Sequence, residues 1–466
     1  MITVDELMAR ALPDGWMWKT MGDIADVVSG GTPSTSDASN FENGEIPWLT
    51  PADLSGYVAK FVSGGARRLT PKGLQSCSAK LIPAGSVLFT SRAPIGYVAI
   101  ASNPISTNQG FKNFVLRGDV LPDYVYWWLK GAKQLAEGLA SGTTFLEISG
   151  TNAKKLPIPI APLARQREIV AELERQFSRL DEAVANLQRV KANLKRYKAS
   201  VLKAAVEGRL VETEATLDRR EGRTYETGEQ LLQRILEERY ATAKGKRVSV
   251  NQADQDGLSE CPDGWVWATC DAALNGIDAG ASFKCEERPP IDGEIGVLKV
   301  SALTWGKYDE SESKTCKDES RIEEKFLVRD GDFLFSRANT IELVGACVIV
   351  GKTTKQLMLS DKTLRFELCP QVLPDWLQIC LRCKFGRDEI ERLATGNQES
   401  MRNIGQERIR QIRMPLPPLA EQTRIVAEVD RHLSIIREVE AEVDTNLQRA
   451  QALRQATLAK AFAGGM

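Results

Sequence analysis

Two stretches of this chain repeat each other at a fixed spacing. Pro162-Leu163-Ala164-Arg165-Gln166, with Ile169-Val170-Ala171-Glu172 behind it, recurs as Pro418-Leu419-Ala420-Glu421-Gln422 with Ile425-Val426-Ala427-Glu428. The offset of 256 (418 − 162) then holds without a gap through Leu202 and Leu458 to Gly208 and Gly464. Both copies predict long helices. A proline is tolerated just before a helix start, where the missing N–H costs little, and a terminal glycine suits the C-cap. In the first copy Leu173, Leu180, Leu187, Leu194 and Val201 fall every seven residues, with Phe177, Val184 and Ala205 as a second column. In the second copy Val429, Ile436, Val443 and Ala450 form one column and Leu433 and Leu447 the other. Heptad columns make a seam, and a seam needs a partner helix, which each copy offers the other. The alternative is that each helix packs only on its own domain. A helix of about 45 residues spans about 65 Å, longer than a small domain is wide, which favours pairing.

The 466 residues leave room for two or three domains beside those helices. No apolar run approaches the length of a membrane span. The start, Met1-Ile2-Thr3-Val4-Asp5-Glu6, lacks the basic-then-apolar layout of a signal peptide. Nine cysteines, an odd number without framework spacing, point to reduced thiols and a cytoplasmic protein. The net charge of −1 does not announce a nucleic-acid binder, so any DNA binding must come from local patches.

The repeat reaches beyond the helices. Pro13-Asp14-Gly15-Trp16-Met17-Trp18 recurs as Pro262-Asp263-Gly264-Trp265-Val266-Trp267, so the four tryptophans read as core. Residues 84–93 recur, one residue shorter, as 330–338, which matches Arg92 with Arg337. Leu121-Pro122-Asp123 recurs as Leu373-Pro374-Asp375, each opening an apolar, aromatic-rich helix. Strand-like runs occupy 87–90, 97–101, 114–116, 297–300, 333–335 and 346–350. Gly30-Gly31-Thr32-Pro33 opens a long polar loop. After the first long helix, 228–240 predicts an amphipathic helix with Leu231, Leu232, Ile235 and Leu236 on one face, and 244–257 a flexible polar segment. The expected fold class is α+β: two mixed domains, each followed by a long helix, the two helices pairing as a coiled coil, antiparallel by the resemblance set out next. The boundaries fall at 1–155 for the first domain, 156–211 for its helix, 212–259 for a connector, 260–413 for the second domain and 414–466 for its helix.

This order of features resembles the specificity subunits of type I restriction-modification systems. The resemblance rests on the repeated Pro-Asp-Gly-Trp start, the leads 156–163 (Leu-Pro-Ile-Pro-Ile-Ala-Pro-Leu) and 414–422 (Met-Pro-Leu-Pro-Pro-Leu-Ala-Glu-Gln), and Ser106-Thr107-Asn108-Gln109-Gly110, with Ser360-Asp361-Lys362 as its second version. Arg165 departs from the family's glutamate, which Glu421 keeps, and a local capping contact is in question there. The resemblance implies two target recognition domains, each reading half of a bipartite site in double-stranded DNA, held apart by the helices. It implies two methyltransferase subunits docked on the helices and two restriction-translocase subunits completing the complex. S-adenosylmethionine, ATP and magnesium would belong to those partners, with no cofactor in this chain.

Three features imitate enzyme motifs. Gly351-Lys352-Thr353 ends like a phosphate-binding loop, but five residues separate Gly345 from Gly351 where the motif wants four, and no clear helix follows. Cys380-Leu381-Arg382-Cys383 has metal-ligand spacing without a second pair. Arg288-Pro289-Pro290-Ile291 lacks the amide or carboxylate and the aromatic of a base-methylating motif, and one histidine, His432, leaves little for acid–base work near neutral pH. The chain is therefore expected to be non-catalytic, with no metal site.

Sequence is read by Arg, Lys, Asn and Gln at base edges, while phosphate contacts position the protein. The candidates in the first domain are Thr32, Ser34, Arg67, Arg68, Arg92, Asn108, Gln109 and Lys112; in the second they are Lys299, Arg337, Asn339, Lys362 and Arg365. Each is also readable as an ordinary surface residue or structural ion pair. The first helix is basic at Arg189, Lys191, Lys195, Arg196 and Lys198, and the second acidic at Glu438, Glu440, Glu442 and Asp444, a complementarity that suits antiparallel pairing; a solvated basic face is the other reading. A structural adaptor tethering two protein-binding domains remains the competing function.

Overall fold

The computed structural model describes residues 4–142, 146–242, 253–398 and 401–465. The chain divides into two compact units, Met1–Arg189 with Val443–Met466, and Val190–Glu442. Each long helix, Leu163–Val206 and Leu419–Phe462, therefore contributes to both. No described helix is long and apolar enough to cross a membrane. All nine cysteines are free.

The first unit carries a five-stranded sheet in the order Ala25–Ser29, Phe111–Leu116, Val87–Thr90, Val98–Ala101, Phe61–Val62, antiparallel except at the last pair. Val87–Thr90 and Val98–Ala101 are buried at every position, so they read in the sequence as continuous apolar runs. A second sheet places Ile46–Leu49 between Arg67–Leu69, antiparallel, and Ser106–Thr107, parallel. A ribbon of Met17–Thr20 and Pro157–Ile160 closes the unit. The ribbon's prolines cannot donate to a ladder, and their carbonyls are used instead. Tyr124 Oη donates to Pro159 O at 2.7 Å and Trp128 Nε1 to Pro157 O at 2.7 Å, both from the aromatic helix Pro122–Gly131.

The second unit repeats this plan. Its four-stranded antiparallel sheet runs Leu274–Ala279, Thr363–Leu368, Phe333–Ser336, Cys347–Ile349. Ile295–Leu298 lies between Ser313–Thr315, antiparallel, and Gln356–Met358, parallel. Val266–Thr269 pairs with Arg413–Leu416 as the ribbon, and Trp376 Nε1, from the helix Pro374–Arg382, donates to Pro415 O at 3.2 Å. A buried glutamine fixes the start of each long helix. Gln166 donates to Ala161 O at 2.9 Å and accepts from Leu121 N at 3.0 Å; Gln422 donates to Pro417 O at 3.1 Å and accepts from Leu373 N at 3.0 Å.

In the first unit the start of the first long helix (Ile169, Leu173, Phe177) shares a core with the end of the second (Leu458, Ala461, Phe462). In the second unit the end of the first (Val201, Leu202, Ala205) shares a core with the start of the second (Ile425, Val429). Start meets end both times, so the helices pack against each other antiparallel. Of the expected seam, Leu173, Phe177, Val201, Val429, Ile436 and Val443 are buried. Leu180, Val184, Leu187, Leu194, Leu433 and Leu447 are half-buried; Leu180 and Leu433 pack against the domain cores. Charge also crosses the seam: Arg454 pairs with Asp181 and lies 4.7 Å from the Phe177 ring in the first unit. Lys198 feels the charge of Glu440 in the second, although burial dominates and lowers its pKa. The C-cap glycines Gly208 (φ +63°) and Gly464 (φ +79°) meet the repeated prolines; an added Cβ would lie 2.6 Å from Pro262 Cγ and 2.1 Å from Pro13 Cγ.

Several expectations shift. Residues 300–302 form a 3-10 turn, Val300–Ala302, after a strand that ends at Leu298. The third expected strand of the first domain begins earlier, at Phe111, because Phe111, Lys112 and Asn113 ladder with the central strand. The amphipathic helix is present as Gly228–Thr242 with Leu231 and Ile235 buried, and an unanticipated helix, Glu214–Glu221, precedes it. Of the expected flexible segment 244–257, residues 244–252 lie outside the described residues. Of the four tryptophans, Trp265 is buried, while Trp16, Trp18 and Trp267 are half-buried at the margins of the cores.

Candidate nucleic-acid interface

In the first unit the glycine-rich loop is pressed against the Ser106–Gly110 segment. A Cβ on Gly30 would sit 2.0 Å from Asn108 O and 2.3 Å from Thr107 O, so only glycine fits that approach. Beyond this hinge Thr32 Oγ1 donates to Gln109 Oε1, and both side chains are exposed. Asn108 Oδ1 accepts from Gly110 N at 2.9 Å and so shapes the turn that presents Gln109. Ser34 bonds to Ser36 at 2.8 Å within the loop. The indole of Trp48, on the central strand of the second sheet, donates to Gly31 O at 3.1 Å and fixes the loop to that sheet. The neighbouring strand carries Arg67 and Arg68 outward; Arg67 lies over the Phe41 ring at 3.6 Å and Arg68 donates to Glu45 O at 3.3 Å.

Glu147 holds Arg92 at 3.2 Å and Lys112 at 3.4 Å. Lys112 is only 6% exposed, so its ammonium is already spent on the domain's own framework. Arg365 in the second unit is held likewise, by Asp278 at 2.7 Å and Asp332 at 3.4 Å. Lys299, Arg337, Asn339 and Lys362 are half-buried at the edge of the second unit's sheets. Arg337 Nε donates to Asn403 Oδ1 at 3.4 Å, and Asn339 Oδ1 accepts from Thr340 N at 2.9 Å.

Backbone hydrogen bonds fix which residues correspond. Ser91 N donates to Gly110 O and Ile148 N to Ser91 O; Arg337 N donates to Lys362 O and Ile404 N to Arg337 O. Arg337 thus matches Ser91, and the sequence match with Arg92 is off by one residue, because two apolar strands align equally well at either register. Three correspondences were not legible in the sequence. Gly280 takes the place of Gly30, with an added Cβ 1.9 Å from Leu359 O, and Ser282 donates to Asp361 as Thr32 does to Gln109. Lys314, paired across from Val297, takes the place of Arg67, paired across from Trp48, and bonds Glu287 at 2.6 Å. A Gly-x-Ser/Thr spacing was the available signal for the first two; a register match was needed for Lys314.

The enzyme-like motifs resolve structurally. Residues 354 and 355 after Gly351-Lys352-Thr353 lead into the strand Gln356–Met358, so this run opens a strand where a phosphate-binding loop opens a helix. Cys383 caps the helix Lys384–Leu393 by accepting from Gly386 N at 3.4 Å, and burial raises its pKa to about 11 and pushes Cys380 up as well.

These observations define a protein with two copies of one α+β fold on a pair of antiparallel helices, each copy presenting a polar loop over a glycine hinge. Residues 13–195 match the family model described as the type I restriction modification DNA specificity domain. Over 178 residues the chain is 40% identical to the MjaIX specificity subunit of Methanocaldococcus jannaschii, covering 38% of this chain and 40% of that relative's length. Over 468 residues it is 23% identical to the EcoKI specificity subunit of Escherichia coli K12, covering 98% of this chain and 90% of the relative. A solved chain from a study of complex assembly and conformational transition in the type I R-M system shares the fold, with a TM-score of 0.64 at 18% identity over 98% of this chain and all of that one. Residues 13–195 thus resemble the DNA specificity domain of type I restriction-modification systems, and the chain as a whole is similar to their specificity subunits.

Proposed function

We propose that each unit reads one half of a bipartite site in double-stranded DNA, and that the paired helices set the spacer between the halves. One observation carries this reading. The two units keep the same ribbon, glutamine anchor and glycine hinge, yet differ in the side chains presented there: Thr32 and Gln109 against Ser282 and Asp361, Arg67 against Lys314. A repeated scaffold with unlike polar edges suits two different targets, because base edges are distinguished by their donor and acceptor patterns. The lone histidine, His432, is occupied on the second helix, hydrogen-bonded to Tyr197 at 2.9 Å. In this reading catalysis belongs to partners in the cytoplasm: two modification subunits docked on the helices, which use S-adenosylmethionine, and two restriction-translocase subunits, which use ATP and magnesium. The test is methyl transfer to duplex DNA by the purified chain, with and without a modification subunit. Transfer should need both; turnover of S-adenosylmethionine by this chain alone would contradict the reading.

A further inference from the structure

We propose that Arg67 is a base-reading residue of the first unit, held ready for a guanine edge by Phe41; the inference rests on the DNA-reading function above. The guanidinium carbon of Arg67 lies 3.6 Å from the centre of the Phe41 ring, a stacking distance. Phe41 itself packs edge-on against Trp48, ring centroids 5.9 Å apart, and Trp48 is 3% exposed and bonded to Gly31 O. A buried tryptophan therefore backs the ring, and the ring restrains the guanidinium that lies over it. Stacking leaves the N–H fork free at the rim of the plane. Among the described residues no carboxylate pairs with Arg67, which is exposed.

A planar fork restrained in this way matches the two acceptors, O6 and N7, that guanine shows in the major groove. A phosphate contact needs no such alignment, since a flexible cation serves it as well. The corresponding residue of the second unit makes the contrast. Lys314 bears no fork, no aromatic ring lies under it among the described residues, and Glu287 neutralises it at 2.6 Å. The same strand position is thus armed in one unit and closed in the other, which is how two copies of one fold come to read different bases.

The test is methylation mapping with the full complex, wild type against Arg67→Ala and Arg67→Lys, with binding measured across salt concentrations. Both variants should turn one G·C position of one half-site degenerate, losing about 10- to 100-fold of discrimination there. The other half-site should stay intact. Phe41→Leu, which removes the platform and keeps the fork, should blur the same position less. A uniform loss of affinity with an unchanged motif and a shallower salt slope would mean a phosphate contact and overturn the inference. An unchanged motif in Arg67→Lys would overturn it too, since a point charge would then suffice. Absence of any bipartite motif in the wild type would instead remove the function on which it rests. Arg67 is exposed, so an unchanged melting temperature separates these outcomes from misfolding.

Discussion

The carboxylate of Glu421 accepts a hydrogen bond from the indole of Trp265 at 2.9 Å, with both side chains buried. It also accepts from the backbone N–H of Glu214 at 2.9 Å, the first residue of the helix Glu214–Glu221. Arg165, the matching residue of the first long helix, turns to the surface and pairs with Glu168 at 2.6 Å. Glu421 thus holds the connector helix in the second unit, where Arg165 in the first makes a local ion pair.

Glu421→Ala should therefore cost about 2–4 kcal/mol, because it strands two buried donors. Burial raises the Glu421 pKa and the Glu214 carboxylate lies close by, so Glu421→Gln, which keeps an acceptor and sheds the like charge, should stay within about 1 kcal/mol of wild type. Urea unfolding reports the difference, and hydrogen exchange at the Glu214 amide localises it. A near-neutral alanine variant with unchanged exchange would rule out the anchor.

Glu389 gives the second unit a defined response to acid. Burial pushes its pKa up, but hydrogen bonds from Arg413 at 2.7 Å and Arg392 at 3.0 Å outweigh that and hold it at about 2. The folded value lies below the unfolded one, so this stabilisation is complete above about pH 5 and is lost as pH falls toward 2. Its size is on the order of 2–3 kcal/mol. Glu389→Gln should lower stability at pH 7 and flatten the dependence between pH 5 and 2. Parallel curves for the variant and wild type across that range would contradict this.

The glycine hinges should tolerate no side chain. A Cβ at Gly30 would meet Asn108 O at 2.0 Å and one at Gly280 would meet Leu359 O at 1.9 Å, both backbone atoms that cannot swing aside. Gly30→Ala should weaken recognition of one half-site and Gly280→Ala that of the other, each by tenfold or more on a scale where about 1.4 kcal/mol is a factor of ten. Binding to duplexes that vary one half-site at a time distinguishes them. Equal effects of either variant on both half-sites would break the correspondence between hinge and reader.

How much of this could be read from the chain alone follows from what fixes each feature. The long helices and their seam were legible because heptad columns and terminal glycines are local signals; the antiparallel direction came from the family resemblance, with the basic and acidic stretches in support. The apolar strands around Val87 and Phe333 were legible for the same reason, though not their register, and so Arg337 was matched with Arg92 instead of Ser91. Lys112 and Arg365 look in the sequence like any exposed cation; only the fold brings Glu147 and Asp278 to them. Arg67 is restrained by Phe41, distant enough along the chain that no motif joins the two. The helix Glu214–Glu221 was missed because its polar sequence lacks an apolar stripe, its order coming from the caps at Thr213 and Gly222 and from Glu421.

If the helices are a ruler, lengthening both should lengthen the spacer. One heptad inserted after Asn186 and another after Glu442 keeps the seam in register and adds about 10 Å to each helix at 1.5 Å per residue. At about 3.4 Å per base pair the spacer should grow by up to about three base pairs, with both half-site sequences unchanged. Activity should drop as well, since that shift rotates one half-site by roughly a quarter turn or more. An active variant with its original spacer would end the ruler account.

The central claim is that the two units read DNA independently, and one exchange tests it most directly. Residues 13–155 are replaced by the equivalent domain of a relative with a different target, and host DNA is mapped for methylation in cells carrying the modification subunit. One half of the recognised sequence should change to the donor's half-site while the other half and the spacer stay as they were. A change in both halves together would contradict the claim.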